Sequence, residues 1–287
     1  MIEGVARMSK TNSEVQKTTP YRVVSVIVLI VMTILFVFPL YWIITGAFKD
    51  RIAVNAAVPV WFPLNPTLDN FQRLFERPTL RWLLNTVLVC VLAMGLTCVA
   101  SAMGGYVLAK KRFVGRKLLF SIFVCAMALP KQVILIPLLK EMAFLGIHDT
   151  LLAVILPASA WPFGVFLMKQ FSEGIPGEML EAANIDGASE ARTFLEIVFP
   201  MIKPGVGALA IFTFISTWND YFLQLIMLNS SGKLTISLGI AKLQTEMSND
   251  FGLIMAGAAL GSVPIIIIFL LFQKFFTRGI TMGAVKG

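Results

Sequence analysis

Six long apolar runs set the pattern of this chain, at residues 23–48, 83–109, 118–139, 151–168, 204–228 and 251–273, and charged residues gather in the stretches between them. A helix rises about 1.5 Å per residue and a hydrocarbon core is roughly 30 Å thick, so each run predicts one membrane-crossing helix. The fourth run is short and holds Pro157 and Pro162. A kinked or partly unwound helix is predicted there, with neighbouring helices supplying the hydrogen bonds that proline removes. The first run is 26 uncharged residues after a basic flank. That exceeds a signal-peptide core of about 7–15 residues, so it is expected to remain as a span.

Two excursions between the runs have a pattern of their own. Residues 49–81 carry Pro59, Pro63 and Pro66, then Leu68, Phe71, Leu74 and Phe75 at helical spacing. This predicts a short helix, either lying in the outer interface or packing as a lid. Residues 169–203 are too polar to lie inside a bilayer. Pro176 suits a first turn, Glu178 opposes the positive end of the helix dipole, and Gly187 fits the left-handed position just past a helix end. A second helix is predicted to follow, with Ala188, Ala191, Phe194, Leu195 and Val198 on one face, closed by Pro200 and Pro204 before the fifth crossing.

Composition changes the picture little. Apolar residues make up 57% of 287 and charged residues 14%, against roughly a quarter charged in a soluble domain. The net charge of +8 sits beside the apolar runs rather than in one stripe, which argues against a nucleic-acid partner. Lys and Arg are in excess on the side of the two termini, most densely at Lys110, Lys111, Arg112, Arg116 and Lys117. By the positive-inside rule the termini are cytoplasmic, giving a cytoplasmic segment 1–22, a six-helix domain 23–273 and a cytoplasmic tail 274–287. Cys90, Cys98 and Cys125 lie in apolar runs without metal-ligand spacing and read as buried hydrophobes. The single histidine, His148, reads as a solvated turn residue beside Asp149. The chain has no phosphate-binding G-x-x-x-x-G-K-[ST] run, and no metal or catalytic constellation is predicted.

Two charges fall inside the predicted crossings, Lys131 and Asp220. Stranded at mid-bilayer each costs roughly 2.5–3.5 kcal/mol. Counted from the cytoplasmic end of its run, each lies about 20–24 Å along a helix, in the outer half. They are expected to face the bundle interior and either pair directly or line a polar path with Trp218 and Asn219. The simpler readings are snorkelling for Lys131, a satisfied hydrogen bond for Asp220 and packing for Trp218, whose alternative is stacking on a ligand ring.

The 169–203 stretch contains Glu181-Ala182-Ala183-Asn184-Ile185-Asp186-Gly187-Ala188 and then Ile197-Val198-Phe199-Pro200. It resembles the EAA loop of the permease subunits of binding-protein-dependent ABC importers: Glu-Ala-Ala, three residues, Gly, nine residues, Ile, one residue, Leu-Pro, with Phe199 in place of Leu. Pro39-Leu40-Tyr41-Trp42, Phe48-Lys49, Asn85-Thr86, Trp218-Asn219-Asp220-Tyr221 and the final Gly279-to-Gly287 stretch are similar to the carbohydrate, maltose/maltodextrin-like branch. The resemblance implies an all-α membrane protein of the type I importer fold. Its partners would be a second permease, two cytoplasmic ATPase subunits that carry the ATP and Mg, and an external sugar-binding protein. It also implies that Glu181, Ala182, Ala183, Asp186, Gly187, Ala188, Phe194 and Pro200 meet an ATPase, as do Gly283, Val285, Lys286 and Gly287 of an extended tail. The expected function is passage of an oligosaccharide across a bacterial cell membrane, without catalysis by this chain. An ion-coupled secondary transporter is the competing class, but would need intramembrane carboxylates and repeated broken helices. An intramembrane enzyme would need a paired-acid or histidine site that the chain lacks.

Overall fold

The computed structural model describes residues 20–247 and 250–284, with side chains from 21 to 271. Five helical stretches are long and apolar enough to cross a membrane, and a sharply bent pair, counted as one span, brings the number to six. In chain order the helices of the first half are α1 (Pro20–Ala47), α2 (Arg51–Val54), α3 (Asp69–Phe75), α4 (Thr79–Lys110), α5 (Arg116–Met127) and α6 (Lys131–Phe144). Those of the second are α7 (Leu152–Ser159), α8 (Pro162–Glu173), α9 (Gly177–Ile185), α10 (Glu190–Thr193), α11 (Phe199–Trp218), α12 (Tyr221–Met227), α13 (Ile236–Glu246) and α14 (Phe251–Ala284).

The axis of the bundle is α4, which packs along α8, α11, α7 and α13. Close approach of α4 and α8 needs Gly105: a Cβ there would meet the backbone of Met168 and Lys169 at 2.6 Å. Small residues at such crossings let dispersion contacts build where lipid offers no hydrophobic driving force. By contrast α1 leaves nearly every side chain from Tyr21 to Leu40 exposed and touches the bundle mainly through α14.

Three predicted spans are not single rods. The run 118–139 is two helices, α5 and α6, bent by 105°. Pro130 disfavours helix at Leu129, so the chain turns there and restarts at Lys131. The fourth span breaks at Ala160 and Trp161, where Trp161 is extended and Pro162 opens α8, in agreement with the predicted unwinding. The fifth departs from expectation at both ends. It begins at Glu190, because α10, a π turn at Phe194–Val198 and α11 form one apolar helical stretch, Glu190–Trp218. Pro200 and Pro204 therefore do not close a separate helix. The π turn, with the Phe199 N–H donating to the carbonyl of Phe194, passes the chain into α11, where Pro200 falls in the first turn and needs no N–H partner. The same stretch stops at Trp218, short of the expected residue 228, and Asp220 starts α12.

Within the excursion at 49–81 only part packs on the bundle, since Leu74 and Asn70 are buried while Leu68 and Phe75 of the predicted apolar face are exposed. Within α3, Leu74 is fully buried and Asn70 donates to the carbonyls of Ala47 and Lys49 at 3.0 and 2.8 Å, tying down the end of α1. Arg73 pairs with Asp250 at the start of α14. At the same end Asp149 accepts from the amides of Asn229 and Ser230 at 2.8 and 3.0 Å and from Lys233 at 3.2 Å, which fastens the connection after α12. Those hydrogen bonds, first the one from the Ser230 hydroxyl, hold its carboxyl well below the usual range. His148 is half-buried, its Nε2 3.4 Å from the carbonyl of Ile226, rather than a solvated turn residue. Of the cysteines, Cys90 and Cys98 are buried as expected, whereas Cys125 is exposed on α5.

Candidate functional site

The loop of 174–200 and the cavity where the spans break are the two places that concentrate the singled-out residues. In the loop, α9 ends in a tight cap. Gly187 has φ +74°, its N–H donates to Asn184, and the Ala188 N–H reaches back to the carbonyl of Ala183 at 2.9 Å. This paired arrangement satisfies carbonyls that a helix end would otherwise leave free, and it requires a residue that adopts positive φ at no cost. Space is not the constraint, since a Cβ at Gly187 would meet nothing within 4 Å. Two residues on, Ser189 caps the next helix by accepting from the Arg192 amide at 3.3 Å.

One face of this loop is packed and the other is bare. Ala183 is buried, and Ile175, Leu180, Phe194 and Val198 join a core with Tyr106, Met168 and Ile202. The ring of Phe194 lies 5.7 Å from that of Tyr106. Lys110 donates to the carbonyls of Glu173 and Ile175 at 3.1 and 2.5 Å, and Lys111 pairs with Glu190. The loop is thus clamped to the end of α4. Glu181, Ala182, Asp186 and Pro200 are exposed, and so is Ile185 at 85%. Glu181 has no hydrogen bond or ion pair among the described residues. Ile185 thus stands beside the carboxylates of Glu181 and Asp186, neither of which has a side-chain partner among the described residues.

The second place is a cavity of about 450 Å3. Its walls include Leu129 and Lys131 from the first break, Ala160 and Trp161 from the second, and Asp220 from the third. Lys131 Nζ lies 3.4 Å from Asp220 Oδ2 and 3.4 Å from Ser216 Oγ, and 5.7 Å from the centre of the Trp161 ring. The pairing has an electrostatic reason. Lys131 is the first residue of α6, where the positive end of the helix dipole opposes a cation, while Asp220 sits where α12 favours an anion and accepts from the Leu223 amide at 3.4 Å. Each charge relieves the other's exposure to a low dielectric.

The remaining predicted path residues separate. Asn219 is exposed near the cavity, with its side-chain amide donating to Ile215 at 2.9 Å. Trp218 is 1% exposed and stacks on Phe214 at 5.6 Å, so it is a packing residue and lines no path. Trp161 and Ser216 went unremarked in the sequence. Pro157 and Pro162 marked the break, and a Trp placed between them inside an apolar run was the available signal. The tail does not run extended at Gly279 or Gly283, since α14 continues to Ala284. Val285, Lys286 and Gly287 lie outside the described residues.

Residues 101–282 match the family described as the binding-protein-dependent transport system inner membrane component. The chain is 34% identical to the arabinooligosaccharides transport system permease protein AraQ of Halalkalibacterium halodurans, over 88% of this chain and 91% of that protein. It is 32% identical to the maltodextrin transport system permease protein MdxG of Bacillus subtilis, over 90% and 94%. Among solved structures, a bacterial ABC transporter involved in import of the acidic polysaccharide alginate superposes with a TM-score of 0.81 at 21% identity, over 91% of this chain and 98% of that one. The ion-coupled secondary transporter reading gives way to these relationships, and so does an enzymatic role for this subunit. With its all-helical spans and its Glu181-to-Pro200 loop, the chain belongs to the binding-protein-dependent transport system inner membrane components, the permease subunits of ABC importers.

Proposed function

We propose that this chain forms half of the transmembrane path of an ATP-driven oligosaccharide importer, and that the cavity at the three span breaks is where its half touches the sugar. The observation that carries this reading is the convergence of Lys131, Asp220 and Trp161 from separate spans on one cavity. Non-helical backbone within a membrane is tolerated where it is buried in protein or lines a polar cavity. A carboxylate and an ammonium offer acceptor and donor to hydroxyls, and an indole face offers a platform to the apolar side of a pyranose ring. The relatives' names, arabinooligosaccharides and maltodextrin, agree with a neutral glycan.

The exposed face of α9 is the seat for a cytoplasmic ATPase subunit, with Glu181 meeting a cation and Ala182 allowing close approach. Gly187 and Ala188 hold the turn, while Phe194 and Ala183 anchor it to the spans. Motion at that seat reaches Asp220 through the helical stretch Glu190–Trp218. The loop and both termini are cytoplasmic in a bacterial cell membrane. ATP and Mg are bound by two partner subunits, a second permease completes the path, and an external binding protein delivers the sugar.

The test is uptake of a labelled oligosaccharide by the reconstituted complex with its binding protein, powered by ATP enclosed with the ATPase subunits. Asp220→Asn and Trp161→Ala are each expected to cut uptake roughly tenfold, the scale of about 1.4 kcal/mol, while assembly is kept. Uptake driven by an ion gradient without ATP, or unchanged uptake in both variants, overturns the reading.

A further inference from the structure

We propose that this chain holds an anionic phospholipid at the end of the bundle that carries the α9 loop, with the headgroup at Arg112, Arg116 and Lys117 and an acyl chain between α4, α5 and α8. The connection from α4 to α5, Lys110-Lys111-Arg112-Phe113-Val114-Gly115-Arg116-Lys117, contains five basic residues and no acid. Three of them are occupied within the chain. Lys110 holds the end of α8, Lys111 is paired with Glu190, and Arg116 donates through one guanidinium nitrogen to the carbonyl of Lys111 at 3.0 Å. Arg112 and Lys117 have no hydrogen bond or ion pair among the described residues, and with Arg116 they wall a hollow of about 440 Å3.

An apolar groove adjoins the hollow. Phe113 walls both the basic hollow and a second cavity of about 490 Å3, whose other walls include Met103, Val107, Leu119, Phe123 and Val165. Along α4 the groove runs from Leu108 to Ala100, about 12 Å of helix, close to the roughly 15 Å depth of one leaflet. Val114 is fully exposed at the tip of the connection and Phe113 is exposed as well. Apolar tips between cations seat in the headgroup region, the aliphatic part in the acyl boundary and the charges at the phosphates.

The tendency of loops on one side of a membrane to be basic accounts for the number of charges. It does not account for a dry groove opening among those left unpaired. A guanidinium matches a phosphodiester through two parallel N–H donors and a lysine adds a point charge. A zwitterionic lipid brings its own cation to the same place and is disfavoured, which selects an anionic headgroup. The inner end of the groove is walled by Ala160 and Trp161, which also wall the cavity of the span breaks, so the lipid site and that cavity share a wall.

The test is lipid retention by the whole permease–ATPase complex, purified from bilayers of equal phosphatidylglycerol and phosphatidylcholine and weighed by native mass spectrometry. The wild type is expected to retain phosphatidylglycerol in preference. The double variant Arg112→Gln/Lys117→Gln is expected to lose that preference, by roughly fivefold for each charge removed. Gly104→Leu probes the groove without touching charge; a Cβ there meets only Val165, at 3.9 Å, so the fold accommodates it while the longer side chain fills the space. It is expected to lower retention of both lipids. No headgroup preference in the wild type, or retention unchanged in both variants, overturns the site. So does loss of the ATPase subunits from the double variant with lipid retention intact, which would assign the cations to a protein partner.

Discussion

Both the α9 loop and the cavity of the broken spans are places where helices stop, yet they are built in opposite ways. The loop stops and restarts within a few residues, through Gly187, Ala188 and Ser189, and all the hydrogen bonds of the turn are local. In the cavity three distant segments each stop for a local reason, Pro130, Pro162 or the Asp220 cap, and packing and the Lys131–Asp220 pair bring the stops together. A local device fails when one backbone angle is denied. A convergent device fails by degrees, as each wall contributes a charge or a surface.

The largest effect is expected from Gly187→Val. At φ +74° a β-branched residue is strained by at least about 1–3 kcal/mol, and the cap to Ala183 is lost with it. ATP-driven uptake and co-purification of the ATPase should both collapse, whereas Gly187→Asn, which visits positive φ, should keep most of both. Equal behaviour of the two variants would show that the angle is not what the loop depends on.

The cavity is expected to respond through coupling. Asp220→Asn preserves a capping oxygen for Leu223 but leaves Lys131 uncompensated at the start of α6. In a double-mutant cycle with Lys131→Gln on thermal stability, the pair should show an interaction of more than about 1 kcal/mol, beyond the usual worth of an exposed pair. Additive effects would separate the two charges.

Glu181→Ala sharpens the contrast from the loop side. The residue is exposed and has no side-chain partner among the described residues, so the stability of the isolated permease should change by less than about 0.5 kcal/mol. ATPase retention should nevertheless fall severalfold. A variant that destabilises the permease alone would place Glu181 in the fold instead of at a contact.

The smallest effect concerns Asp149, at the far end from the loop. Its carboxyl is held below its unfolded value of about 3.9, so its contribution to stability is present above that pH and is lost as pH falls toward the lowered folded value. Protection of the Asn229 and Ser230 amides, measured against their unfolded exchange rates at each pH, should therefore fall below about pH 4, and Asp149→Asn should remove that pH dependence. Persistence of the dependence in the variant would assign it elsewhere.

Hydropathy made the spans legible, because 20 apolar residues in a row have few other uses. The loop was legible because Gly187 and Ala188 act on their neighbours. The 105° bend was not: Pro130, followed by Lys131 and Gln132, marks a place where a helix can stop, but the direction of the chain after a proline depends on what it packs against. Pro200 and Pro204 misled in the opposite sense, since prolines near a helix start end nothing when a π turn precedes them. Trp218 and Trp161 look alike in sequence, and only their neighbours tell that the first fills the core and the second faces the cavity. The helix α13 lacked a long apolar run and was not anticipated.

The unbroken stretch from Glu190 to Trp218 has a mechanical consequence. Its 29 residues measure about 43 Å, so with an ATPase seated on the α9 loop, as proposed, this stretch is the direct line along which an axial displacement would reach the far end. The rod ends at Asn219, where the backbone leaves the helix and α12 sets off anew. On that proposal the stroke would end at the Asp220 wall, before the outer connection that Asp149 and Lys233 hold. A joint at that position would confine such motion to the region around the cavity.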